Sequence, residues 1–291
     1  MQVIAFLLLG FFSSITAALE GVSITETSRL NAWLDARYEE ELLARPMALT
    51  RLGRKESYGQ IDDMSEAASL AKRQRLQQSV TQMQQEFAYE QLSDEGKISY
   101  DYWIYRLYRS TSGLPYKRQW YLFTQMHGAQ TKLPRFLINL HSVDSEQDML
   151  DYIRRIQGIG QAIKQLLVRA QLAAEEGIRP PRFAYETVIK ESIKLTEGTP
   201  FVKDAAVDSP LWADAKGKIA KLEDNKLINA AGAAALRDKA ATALRTKLLP
   251  AYQELVTWLR VDLALTDAEP QGAYALPDGP AYYQYRLEYN T

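Results

Sequence analysis

Apolar residues recur along this chain at three- and four-residue steps, with polar residues between them. Leu70, Leu76, Val80, Met83 and Phe87 form one such stripe, and Met149, Ile153, Ile156, Ile159, Ile163, Leu166, Leu167 and Ala170 form the strongest. Leu244, Leu248, Tyr252, Leu255, Leu259 and Leu263 form a third. This spacing puts one apolar face on each helix. No run of alternating β-branched residues supports a sheet. The pattern therefore predicts an all-α, multi-helix bundle.

The punctuation agrees with helices. Pro46 closes the first helix of the mature chain. Ser93-Asp94-Glu95 opens a helix that carries Tyr100, Tyr102, Trp103, Tyr105 and Tyr108, and Gly113 and Pro115 end it. Ser145 opens the Ile-rich helix and Gly177 closes it; Pro180-Pro181 begins the next. Gly198 and Pro200 make a break, and Asp208-Ser209-Pro210 starts another helix. A very long helix is expected from about Asn225 to about Leu265, kinked at Pro250. A last helix begins at Pro280, with Asp278 or Gly279 as its N-cap, and places Tyr282, Tyr285 and Tyr289 on one face that needs a partner.

The N-terminus stands apart. Residues 3–12 (VIAFLLLGFF) are unbroken apolar and are followed by small residues, as in a signal peptide, although no Lys or Arg precedes them. The expectation is a signal peptide over residues 1–19 and one helical domain over 20–291, exported to the periplasm or secreted, with no stable membrane span after cleavage. An uncleaved anchor and a buried N-terminal helix are the alternatives.

Composition narrows the function. With 35 Lys+Arg against 36 Asp+Glu, net charge −1, no basic excess is available for a phosphate backbone, so nucleic acid is not an expected partner. The basic run Lys72, Arg73, Arg75 reads as a solvated helix face. There is no cysteine, which removes disulfides, thiolate metal sites and a cysteine nucleophile. The two histidines, His127 and His141, form no HExxH pair, and neither a G-x-S-x-G elbow nor another nucleophile motif occurs. Gly158-Ile159-Gly160 lies inside a helical stripe and reads as close helix packing rather than a phosphate loop. The tyrosines of 100–108 read as core and rim. In the segment GIRPPR (177–182) two arginines flank a rigid turn at a helix start, which could clamp a carboxylate or form a plain helix–helix corner. Arg179, Arg182 and Tyr282 are the candidate substrate-binding residues; no catalytic or metal-binding residue is assigned.

Several segments together resemble the N-terminal half of a bacterial family, domain of unknown function 885. They are Arg45-Pro46 with TRLG (50–53), LSDEGKISYDYWIYRL (92–107), the His141 segment leading to Tyr152-Ile153-Arg154-Arg155-Ile156, GIRPPR (177–182), LLPAYQELVTWL (248–259) and LPDGPAYYQYRLEYNT (276–291). The family resembles helical, often exported zinc-dependent peptidases of the HExxH type, whose metal motif lies in the C-terminal half. The resemblance implies a chain truncated in mid-domain, with no cofactor of its own and zinc expected only in full-length members. It would supply scaffold and one wall of a substrate cleft, with a peptide and the missing C-terminal half as partners, and be inactive alone. The alternative is a non-catalytic helical module that holds a peptide or protein in a tyrosine-lined groove.

Overall fold

The protein was analysed as a computed structural model, which describes residues 25–266 and 269–290. The expected signal peptide, residues 1–19, lies outside the described residues. The described residues form helices joined by short turns and by longer connections over 52–65, 113–128 and 196–209, with no strand beyond one isolated bridge between Thr199 and Asp208. The all-α expectation holds. Among the described residues no helix is long and apolar enough to cross a membrane.

The hub is the Ile-rich helix. In order the helices are α1 (Glu26–Leu43), α2 (Pro46–Arg51), α3 (Glu66–Glu86), α4 (Asp94–Ser112), α5 (Ala129–Leu140), α6 (Glu146–Glu175), α7 (Arg182–Leu195), α8 (Pro210–Asp224), α9 (Ala230–Ala243), α10 (Leu249–Asp262) and α11 (Gly279–Asn290). Ser145 caps α6 by accepting a hydrogen bond from the Asp148 amide. Its apolar stripe faces inward, with Ile156, Ile159 and Ile163 fully buried, each stabilising the fold by about 2 kcal/mol. Helices α5, α8, α9 and α10 pack around it and α7 packs on α5 and α10. A second apolar cluster joins α1, α3 and α4 through Leu30, Val80, Met83, Tyr100 and Trp103. Trp103 keeps its indole N–H satisfied by donating to Ser79 Oγ at 3.0 Å. In α4 Tyr100 and Trp103 face this core while Tyr102, Tyr105 and Tyr108 are exposed, as their spacing predicts.

Two expected boundaries move. Pro46 does not only close α1; it is the first residue of α2, where a missing N–H costs nothing. The expected long helix from Asn225 is divided. Asn225 ends α8, Lys226 takes a left-handed conformation (φ 58°), and Asn229 caps α9 by accepting from the Gly232 amide. From there the chain stays helical to Asp262, passing through a π-helical turn over Leu244–Leu248 just before Pro250. The wider turn tolerates the missing proline N–H. Gly160 of α6 lies against this turn: a Cβ there would stand 2.4 Å from the Lys247 carbonyl oxygen. The glycines of 158–160 are thus for close packing, not phosphate binding.

The linker between α2 and α3 is held by Arg155, which has no measurable exposure. It donates to Gln60 O (2.9 Å), Thr50 Oγ1 (2.6 Å) and His141 Nδ1 (2.9 Å), and lies under the Tyr58 ring at 4.8 Å. None of these partners is a carboxylate. Burial draws the guanidinium pKa down to about 10, so it stays charged at neutral pH.

Candidate binding cleft

The C-terminal helix builds one wall of a cleft lined mainly by cations. Helix α11 returns onto residues 114–121 and finds there the partner its tyrosine face requires. Tyr282 is buried and donates to Gln119 O at 3.3 Å, while Gln119 donates to Pro277 O at 2.6 Å. Tyr285 stacks on Tyr116 with ring centroids 5.0 Å apart, and Tyr289 meets the edge of Trp120 at 6.1 Å. Arg286 lies over the Trp120 ring at 4.0 Å and donates to Tyr282 Oη. Gly113 makes room for this ledge, because a Cβ there would sit 2.6 Å from Tyr285 Oη. Burial raises the pKa of Tyr285, so its hydroxyl stays protonated.

Between this ledge and the start of α3 lies a cleft of about 310 Å³, bordered also by the end of α4 and by Arg169 of α6. Arg73, Arg109, Lys117, Arg118 and Arg169 face it against the single carboxylate of Glu66. The Lys117 ammonium bonded to Glu66 holds that carboxyl below its ordinary range despite burial. The basic run is thus not one solvated face. Arg73 lines this cleft, whereas Lys72 and Arg75 line another of about 480 Å³ between α1 and α3, where burial lowers the Lys72 pKa.

The segment 177–182 forms a corner of a different kind. Gly177 has φ 79° and ends α6 in a Schellman turn: the Ile178 amide donates to Ala173 O and the Gly177 amide to Ala174 O. This tucks Ile178 into the interior and brings Arg179 to Asp262 at the end of α10. Arg179 donates through Nε and Nη2 at 3.0–3.2 Å, and Tyr185 donates to the same carboxylate at 2.6 Å. Asp262 is 5% exposed, so its charge is answered inside the protein. Burial and this bond push the Tyr185 pKa far up. Arg179 also borders a hollow of about 130 Å³ with Tyr121 and Gln271. Arg182 is exposed on α7 and pairs with Glu186 at 3.4 Å. The three candidate residues therefore share no contact: Asp262 engages Arg179, Glu186 engages Arg182, and Gln119 and Arg286 engage Tyr282.

The donor set does not fit zinc. His141 is 1% exposed, accepts from Arg155 through Nδ1 and donates through Nε2 to Asp148 O at 2.9 Å, so neither nitrogen is free for a metal. Burial, with the charges of Arg155 and Lys218, lowers its pKa to about 4. Among the described residues no three His, Asp or Glu side chains gather as a metal site.

These features sit within a known family. The chain matches the family described as "Bacterial protein of unknown function (DUF885)" over residues 46–291, and it belongs to that family. Its fold is similar to a solved structure from Colwellia psychrerythraea whose title calls it "the putative lipoprotein", with a TM-score of 0.74 and 18% sequence identity. That likeness covers 91% of this chain and 46% of the solved one, so this chain spans about half the length of that relative. Among curated proteins none matches.

Proposed function

We propose that this chain belongs to an exported zinc-metallopeptidase-like family, and that it supplies scaffold and one substrate-cleft wall while holding a peptide without cutting it. The observation that carries this reading is the cleft beside α11, where cationic and aromatic side chains meet and the one lining carboxylate, Glu66, is paired with Lys117 and Arg118. Cations suit a peptide's carboxylates and the ring faces suit its backbone and side chains. In this reading residues 20–291 act as one helical domain, Tyr282 braces the aromatic wall, and Arg179 and Arg182 mark a second contact corner. The naming of the solved relative as a "putative lipoprotein" favours export.

A purified chain incubated with a peptide library should bind peptides and release no fragments, with or without added zinc. Metal-dependent cleavage by this chain alone would overturn the reading. The other reading, a self-sufficient non-catalytic binding module, is favoured by the seating of α11 on residues 114–121. Slow hydrogen exchange over 279–290 in the isolated chain would support it, and fast exchange there would favour an incomplete fold.

A further inference from the structure

The cations of the α11 cleft are not equally matched by acids. Lys117 and Arg118 both reach Glu66, and Arg118 also reaches Glu176. Arg169 donates to the Met64 carbonyl at 2.9 Å. Arg109 donates to the Tyr289 carbonyl at 2.8 Å and lies over the Tyr289 ring at 3.9 Å. Arg73 has no hydrogen bond or ion pair among the described residues. The Nε groups of Arg73, Arg109 and Arg118 are shielded from solvent and have no acceptor.

Arg73 thus brings an unpartnered guanidinium to a cleft whose five cations face one carboxylate, already shared by Lys117 and Arg118, and this positive charge would be answered by an oxyanion held in the cleft. Nearby walls are apolar and aromatic: Leu70, Leu114, Leu122, Trp120 and Tyr289. A small inorganic anion would leave those walls unused. A carboxylate carried on a peptide uses both parts, and a space of about 310 Å³ suits a segment of a few residues. The whole chain has a net charge of −1, so the positive character is local to the cleft.

We propose that this cleft is a carboxylate-binding subsite in which Arg73 and Arg109 grip an acidic peptide group and Trp120 and Tyr289 hold the adjoining residues. The inference rests on the peptide-holding reading above and adds the group recognised. Arg73 is the clean probe, because removing its charge breaks no internal bond.

The test is calorimetric titration of the purified chain with four N-acetylated peptides: Ala-Phe-Gln with a free C-terminus, Ala-Phe-Glu amide, Ala-Phe-Gln amide, and Ala-Phe-Glu with both carboxylates. Peptides carrying a carboxylate should bind, weakening as salt rises, and the uncharged amide should bind at least about tenfold less well. The first two peptides tell whether a terminal or a side-chain carboxylate is preferred. Arg73→Gln should weaken binding by about tenfold, while Arg75→Gln, on the other cleft, should leave it unchanged. Equal binding by wild type and Arg73→Gln overturns this inference and leaves the peptide-holding reading standing. No binding by any peptide overturns both. Displacement by inorganic phosphate at the same concentration as peptide overturns the assignment to a peptide carboxylate.

Discussion

Arg155 donates to Nδ1 of His141 at 2.9 Å, with both side chains sealed from solvent and no carboxylate among the arginine's partners. A cation facing a neutral imidazole fixes the tautomer and opposes a second positive charge. The ring is stacked on Tyr58 at 4.0 Å, and Lys218 and Asp148 also act on it.

Stability should therefore depend on this histidine in mild acid. Its pKa is 6.5 in an unfolded chain and about 4 in the fold. Below 6.5 the unfolded chain takes up a proton that the folded chain refuses. Stability then falls as pH drops from 7 toward 4, by on the order of 3 kcal/mol in full. Asp148 acts in the same direction: burial raises its pKa, but Lys55, the Asp144 amide and Ser145 together hold it below its usual range. Urea unfolding of His141→Gln at pH 7 and pH 5 should show a smaller difference than wild type. An unchanged difference would remove His141 from the account.

Asp262 gives a second test. Replacing it with Asn leaves Arg179 without its anion inside the fold, and should cost roughly 2–4 kcal/mol in thermal or chemical unfolding. Arg179→Gln should cost a similar amount, because it strands a buried carboxylate. If Arg179→Gln melts like wild type yet loses peptide binding, Arg179 is a ligand contact rather than a brace.

The wall formed by α11 hangs on one ring. Tyr282→Ala removes a buried aromatic and should cost about 3 kcal/mol. Most of that loss should appear as faster hydrogen exchange over 279–290, with α6 protected as before. Uniform loss of protection across the chain would mean that the helix and the core unfold together.

Gly160 tests the packing of α6 against the π turn. An added methyl meets the Lys247 carbonyl at 2.4 Å, and backbone cannot swing aside as a side chain can. Gly160→Ala should destabilise by roughly 1–3 kcal/mol. Gly217→Ala, where a Cβ meets nothing within 4 Å, is the matched control and should be neutral or stabilising.

Much of the architecture was legible because helices write their buried face into local spacing. The α6 stripe, its Ser145 cap and its Gly177 stop are all signals within a few residues of one another. The misplaced start of α9 has a different cause: Lys226 adopts a left-handed conformation that lysine seldom signals, and the alanine-rich stretch beyond it continues the helical pattern. Pro46 was ambiguous because proline both stops one helix and starts the next. The cleft was hidden for a reason of distance. Arg73 reads as a surface residue on its own helix, and only the return of α11 some two hundred positions later, visible in the Arg109–Tyr289 bond, walls it in. The Arg155–His141 pair likewise joins separate elements and has no local signature.

The π turn at Leu244–Leu248 has a consequence for how this rod can change. It holds one residue more per turn than the helices on either side, so it acts as a phase shifter between them. Above it α9 addresses α8, and below it α10 addresses α7, while both keep a face on α6. Deleting one residue within 244–248 would return the rod to a single phase. One half would then turn by about 100° relative to the other. Tyr252 and Leu255 could no longer point inward while Leu236 and Ala240 did so. A one-codon loss here should thus be far more damaging than most substitutions at the same positions, although every residue type that the core uses would still be present.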